Sequence, residues 1–237
     1  MSHEDVDLPG MMRDAAGMFV ARLGDSADAI RLPAPSLPPC SASLQWHNTL
    51  FAGPEFRRAH IEVFEVPGQF AVLHACILPH LDNHAPIFGF DMVSGQSQAT
   101  GIFLDYSPVT AAAAEMALSD AVPACARSHF LHKRERPDWG GIFSHEFFAI
   151  RPSSVGEVRD AMALALAALA HYLGKLKPSA GGAIPGVVAG QAAYARGQRM
   201  NPHTFRMLSR HVGGACARRF IEEVLFPLPG EKEDLLF

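Results

Sequence analysis

The stretch Phe56–Val93 constrains this chain more than any other. Ala59–Val66, Phe70–Leu78 and Ile87–Val93 each read as an apolar strand, and the connections between them, Pro67-Gly68 and the loop Pro79–Pro86, are short. Parallel neighbours need a crossover of a dozen or more residues, so these connections predict an antiparallel meander. Alternation along each strand then sorts the side chains. His60, Glu62 and Phe64 fall on one face, opposite Ile61, Val63 and Glu65. Val72, His74, Cys76 and Leu78 share a face, as do Ile87, Gly89, Asp91 and Val93. Same-face residues on adjacent strands lie about 5–8 Å apart at Cβ. His60, Glu62, His74 and Asp91 are therefore able to meet. Titratable groups on such strands are costly unless paired, hydrogen-bonded or used.

The flanking sequence extends this pattern. Met11–Leu23 is amphipathic and reads as a helix ending at Gly24. Leu32–Pro39, with four prolines, reads as an extended linker. A strand is expected from Ala42 to a turn near Gly53-Pro54, and another over Gln98–Tyr106, ended by Ser107-Pro108. Val109–Ala126 is helical in character, Lys133–Gly141 is a charged loop, and Ile142–Arg151 reads as a further strand. Ser154 and Glu157 have capping-box spacing for a helix reaching Leu176. Lys177–Gly190, rich in Gly and Pro, reads as a loop. Gln191–Met200 and Thr204–Phe226 read as terminal helices broken near Gly213-Gly214, followed by a tail. Helix, strands, then helices describe an α+β fold, a three-layer sandwich with a central antiparallel sheet. One domain is expected, with its core at about 42–228 between an N-terminal helix with its linker (1–41) and the tail (229–237).

Composition excludes several classes. Net charge is −4, unlike a general nucleic-acid binder. Ala161–Leu173 is shorter than the roughly 20 apolar residues of a spanning helix, so no membrane association is expected. The acidic start MSHEDVDLPG lacks a secretory signal, and Cys40, Cys76, Cys125 and Cys216 lie singly, which suggests a reducing cytoplasm without a disulfide framework.

Chemistry is narrowed in the same way. No GxSxG or strand-following GxGxxG occurs. Cys76, two residues from His74, reads better as a small buried hydrophobe than as a nucleophile. Two histidines with a carboxylate also compose a facial triad for zinc or iron, and the residues alone leave that open. A carboxyl group beside histidines in an apolar setting is equally a device for moving pKa values toward neutrality. The basic residues, Arg57 and Arg58 early and Arg196 to Arg219 late, are read mainly as a solvated face, with local patches suited to an acidic partner.

Between Pro54 and Leu228 the motifs FRRAHIEV, VLHACILP, PIFGFDMVSG, LDYSP, WGGIFS, IRPSS and EEVLFPLP occur in an order that resembles the ferredoxin-dependent bilin reductases. The resemblance implies an α/β/α sandwich binding biliverdin IXα between the sheet and the C-terminal helices. It implies no bound cofactor and no metal; reduced ferredoxin supplies single electrons, protein groups supply protons, and bilin radicals are intermediates. By position, Asp91 resembles the central aspartate that protonates the bilin. His74 resembles its partner near the lactam oxygens, and His60 the histidine hydrogen-bonded to that partner. Glu62 resembles the glutamate serving D-ring vinyl reduction, characteristic of the phycocyanobilin-forming branch.

Substrate contacts are implied for Arg134, Thr100, Asn201 and His203. The family's Asn-Asp-Lys-Thr motif reads Asn201-Pro202-His203-Thr204 here, a departure that bears on regiospecificity and on propionate binding, where Arg206 or Arg199 stand as substitutes for the missing lysine. Partners implied are ferredoxin and biliverdin, extending to heme oxygenase and a phytochrome or phycobiliprotein that accepts the product; a monomer is expected. A reductase forming phycoerythrobilin or a dihydrobiliverdin, and a non-catalytic bilin carrier, remain the alternatives.

Overall fold

A computed structural model describes residues 7–25, 28–35 and 44–230. Seven strands form one sheet in sequence order, every neighbouring pair antiparallel. They are β1 (Ile30–Leu32), β2 (Gln45–Ala52), β3 (Phe56–Val66), β4 (Phe70–Pro79), β5 (Ile87–Gly95), β6 (Ala99–Ser107) and β7 (Phe148–Ile150). The meander is complete because no connection within β2–β6 is long enough to cross over.

One face of the sheet is sealed by helices α1 (Leu8–Gly24) and α4 (Val155–Lys175). Ile61, Val63, Leu73, Ile77, Phe88, Phe90 and Met92 pack there against Met12, Phe19, Ala165 and Leu169. Phe19 stacks on Phe90 with ring centroids 5.4 Å apart. The buried phenols are satisfied by carbonyls, Tyr106 donating to Ala168 and Tyr172 to Pro86. Ser154 caps α4 by accepting from the Glu157 amide, while the Glu157 carboxylate accepts from the Ser153 amide and not, as a strict capping box would have it, from Ser154.

The other face carries α5 (Pro185–Arg199), α6 (Pro202–Val212), α7 (Gly214–Phe220) and a π-helical turn over Ile221–Leu225. Gly213, at φ 79°, makes the α6–α7 break. The arrangement is the expected α+β three-layer sandwich. Among the described residues no helix is long and apolar enough to cross a membrane. Cys76, Cys125 and Cys216 form no disulfide. Cys40, the second half of the proline linker, the first residues expected in β2, and the tail beyond residue 230 lie outside the described residues.

Three expectations are corrected. The Val109–Ala126 segment is not one helix; it is a 3₁₀ turn at Ala111–Glu115 followed by α2 (Leu118–Ala121) and α3 (Ala124–Arg127), with Pro123 interrupting the last two. Strand structure in Ile142–Arg151 is confined to β7. Its first half is pulled out of the sheet, because Asp105 accepts from the amide and hydroxyl of Ser144 and Phe147 stacks on Phe103. Helix α5 begins inside the expected loop, with Pro185 in the first turn, where its missing N–H costs nothing.

Gly190 explains why a helix carries glycine there. A Cβ at Gly190 would collide with the backbone carbonyl of Val109, so α5 lies against the end of β6 at a distance only glycine allows. Gly190→Ala is expected to destabilise the fold by about 1–3 kcal/mol through overpacking against backbone. A urea titration checks this as a lower midpoint at unchanged slope.

Candidate active site

Register builds the site. A single rung across the sheet pairs Asn48 (β2) with Glu62 (β3), Glu62 with His74 (β4), His74 with Asp91 (β5), and Asp91 with Phe103 (β6). The next rung pairs His60, Cys76, Gly89 and Asp105 in the same way. Side chains of both rungs face α5–α7, and there the two layers do not close. A cavity of about 410 Å³ remains, with Glu62, His74 and Asp91 contributing to its lining. Gly89 and Gly101 keep that face low; a Cβ at Gly101 would meet the Phe103 ring at 2.8 Å.

Of the residues expected at the site, Glu62, His74, Asp91, Arg134, Thr100, Asn201 and His203 all line the cavity. His60 does not. It is 1% exposed and sits behind His74, ring centroids 5.7 Å apart, with Nε2 held 2.7 Å from Asn48 Oδ1. That amide oxygen only accepts, an arrangement that suits the tautomer with its hydrogen on Nε2. Thr100 donates to the Val93 carbonyl at the rim. Arg134 lies over the Phe103 ring, 5.9 Å from its centroid. Asn201 caps α6 by accepting from the His203 amide, and Pro202 fits the first turn of that helix. Arg199 is not a substitute for the motif's lysine. Its guanidinium donates to the carbonyls of Phe226 and Glu222, and neither it nor Arg206 lines the cavity.

Electrostatics separate the four central groups. His74 Nδ1 donates to Asp91 Oδ1 at 2.8 Å. Burial disfavours charge on His74, but the Asp91 carboxylate, this hydrogen bond and Glu62 outweigh it, so its pKa lies above the usual histidine value. His60 moves the other way, held well below the usual value by burial, by His74 and by Arg58. Burial also pushes the Glu62 carboxyl up to about 7, reinforced by Asp91 and opposed by His74 and by a hydrogen bond from Trp46. An imidazole that favours charge, an imidazole that resists it and a carboxyl poised near neutrality thus sit within two rungs. Asp91, its side chain 40% exposed, is the member most open to the cavity. Such a set is able to hold protons at neutral pH and release them to a ligand above the sheet. Burial raises the Cys76 thiol to about 12, so it stays protonated and is no nucleophile. Among the described residues no group of three His, Cys, Asp or Glu side chains converges as metal ligands.

Several cavity residues escaped the sequence reading. Tyr194 of α5 is buried and accepts from Gln198 Nε2. Phe226, just past the π-helical turn, sets its ring edge-on to His74, centroids 5.7 Å apart. Phe103, Phe147, Phe143 and Trp139 form a continuous aromatic wall. Asn48 was legible in principle: alternation places it on the Glu62 face, and it lies directly opposite Glu62 in register.

Residues 40–227 match the family model of the ferredoxin-dependent bilin reductases, and the chain belongs to that family. It is a ferredoxin-dependent bilin oxidoreductase. The chain is 32% identical over 196 residues to phycocyanobilin:ferredoxin oxidoreductase of Synechococcus sp. (strain ATCC 27144 / PCC 6301 / SAUG 1402/1), covering 79% of this chain and 78% of the relative. It is 33% identical over 178 residues to the Prochlorococcus marinus (strain MIT 9313) enzyme of the same name, covering 73% and 67%. Among solved structures, PcyX superposes with a TM-score of 0.65 at 20% identity, covering 92% of this chain and 98% of that one. Tomato phytochromobilin synthase in complex with biliverdin superposes with a TM-score of 0.66 at 14% identity, covering 92% and 82%. Both share the fold.

The Glu62 environment has a consequence for stability. Its folded pKa of about 7 exceeds the ordinary 4.5, so between those values the folded protein keeps a proton that the unfolded chain has lost. Stability contributed by this group therefore falls as pH rises from about 4.5 to 7. Glu62→Gln removes that loss. Its stability relative to the parent is expected to climb between pH 5 and pH 8, by about 2–3 kcal/mol, read by denaturant unfolding at each pH.

Proposed function

We propose that this protein reduces biliverdin IXα to phycocyanobilin. Four electrons arrive singly from reduced ferredoxin, and four protons pass from groups on the cavity floor, through bilin radicals and without a resident metal or flavin. The observation that carries this reading is the Glu62–His74–Asp91 rung beneath an open cavity of about 410 Å³. Asp91 is read as the proton donor to the bilin, recharged through His74, whose imidazolium it stabilises. His60 is read as the neutral neighbour packed behind His74, held by Asn48. Glu62 is read as the proton source for the D-ring vinyl group. Arg134 and His203, both on the rim, are suited to the two propionates. Arg206, Arg210, Arg218 and Arg219, exposed on α6 and α7, offer a basic face for acidic ferredoxin.

The deciding experiment is anaerobic incubation with biliverdin, ferredoxin and a reducing system, with the product identified by chromatography and absorption. Phycocyanobilin is expected. Phycoerythrobilin or a dihydrobiliverdin would show that Pro202 and His203 redirect the reduction. A shifted biliverdin spectrum with no consumption of reductant would show a carrier. Asp91→Asn is expected to bind biliverdin normally and lower turnover by about 10²–10⁴-fold, accumulating a bilin radical visible by electron paramagnetic resonance; turnover at the parent rate would remove Asp91 from the mechanism. Glu62→Gln is expected to release a bilin whose D-ring vinyl group is unreduced.

A further inference from the structure

Trp46 lies outside the cavity lining, and none of the roles above uses it. It is buried on β2, opposite Phe64, with its ring centroid 5.2 Å from that of Phe64 and 4.4 Å from that of Phe220 in α7. Its Nε1 donates to Glu62 Oε1 at 2.5 Å. An indole N–H only donates, so Oε1 must offer a lone pair whether Glu62 is charged or neutral. The carbonyl oxygen of a neutral carboxyl is its stronger acceptor, so the indole bond favours the carbonyl at Oε1 and the proton on Oε2. No described residue donates to Oε2, and Glu62 lines the cavity whereas Trp46 does not. Strand and helix clamp the indole from two sides, and this fixes the direction of its N–H.

We propose that Trp46 is a positioning residue for Glu62, pinning Oε1 so that the Glu62 proton resides on Oε2 and leaves only from there, toward a ligand in the cavity. This rests on the reading of Glu62 as a proton donor. The charged groups around Glu62 are His74 on β4 and Asp91 on β5, with His60 two residues away on β3. From the helical layer Phe220 packs on Trp46 and His211 on Phe64. A hydrogen bond donated to a carboxylate favours its charged form, and its loss favours the proton. Trp46 thus tunes when Glu62 gives up its proton as well as from which oxygen.

Two measurements test this without relying on turnover. The chain has only two tryptophans, so Trp139→Phe leaves the Trp46 indole as the sole Nε1–H resonance in a ¹⁵N spectrum. That resonance is expected to move through the Glu62 titration near neutral pH and to become flat in Glu62→Gln. A flat resonance in the presence of Glu62 overturns the proposal, and no change at Trp46 is needed to see it. Second, Trp46→Phe keeps the ring and deletes the donor. The infrared band of the protonated Glu62 carboxyl, assigned by its loss in Glu62→Gln, is expected to titrate about one pH unit higher in Trp46→Phe. An unshifted midpoint overturns the proposal whatever product the variant makes.

With biliverdin and ferredoxin, Trp46→Phe is expected to accumulate the same partly reduced bilin as Glu62→Gln, its vinyl step moved up in pH by the same amount. A shifted midpoint with unchanged product and rate would uphold the hold of Trp46 on the proton and remove Glu62 from the reduction instead.

Discussion

Everything at this site depends on the register of three antiparallel strands. Glu62, His74 and Asp91 are opposite one another because the β3–β4 and β4–β5 ladders run unbroken through them. A slip of one residue on any of these strands would turn its polar group into the apolar layer under α1 and α4 and bring an aliphatic or aromatic side chain to the cavity. Hydrophobic patterning therefore guards the chemistry. Ile61, Leu73, Ala75, Phe90 and Met92 hold the register from the far face, where they are almost completely buried.

The near face solves a different problem. Buried titratable groups demand partners, and the sheet supplies them diagonally from β2. Trp46 reaches Glu62 and Asn48 reaches His60, each one rung away from its directly opposed residue. His74 is served instead from β5, by Asp91. Because each group meets different neighbours, two histidines whose rings lie 5.7 Å apart have pKa values displaced in opposite directions. Proton flow needs such a gradient; a uniform environment would provide none.

The helical layer sets the cavity roof. Arg58 of β3 donates to the Val224 carbonyl, and Arg199 of α5 donates to those of Glu222 and Phe226. These carbonyls belong to the π-helical turn and its end, where regular α-helical pairing has stopped. Two guanidiniums thereby take up backbone acceptors and carry Phe226 to the edge of His74. Arg58 and Arg199 are thus structural cations, and the exposed arginines lie farther out on α6 and α7, Arg219 paired there with Glu223.

Read by itself, the sequence determined the meander, its faces and the convergence of His60, Glu62, His74 and Asp91, because strand alternation and short connections are local properties. Its ordered motifs also carried the family, and with it Arg134, Thr100, Asn201 and His203 at the rim. Tertiary structure alone decided the rest. Ile142–Ser144 has strand composition, yet a carboxylate on β6 and a stack of phenylalanines hold it away from the sheet. The start of α5 has the composition of a loop, yet Gly190 is what lets it pack as a helix against Val109. Trp46, Tyr194 and Phe226 join the site through contacts between elements distant in the chain, where no periodicity records which side chain will be met. Local pattern states which face a residue takes; only packing states what waits there.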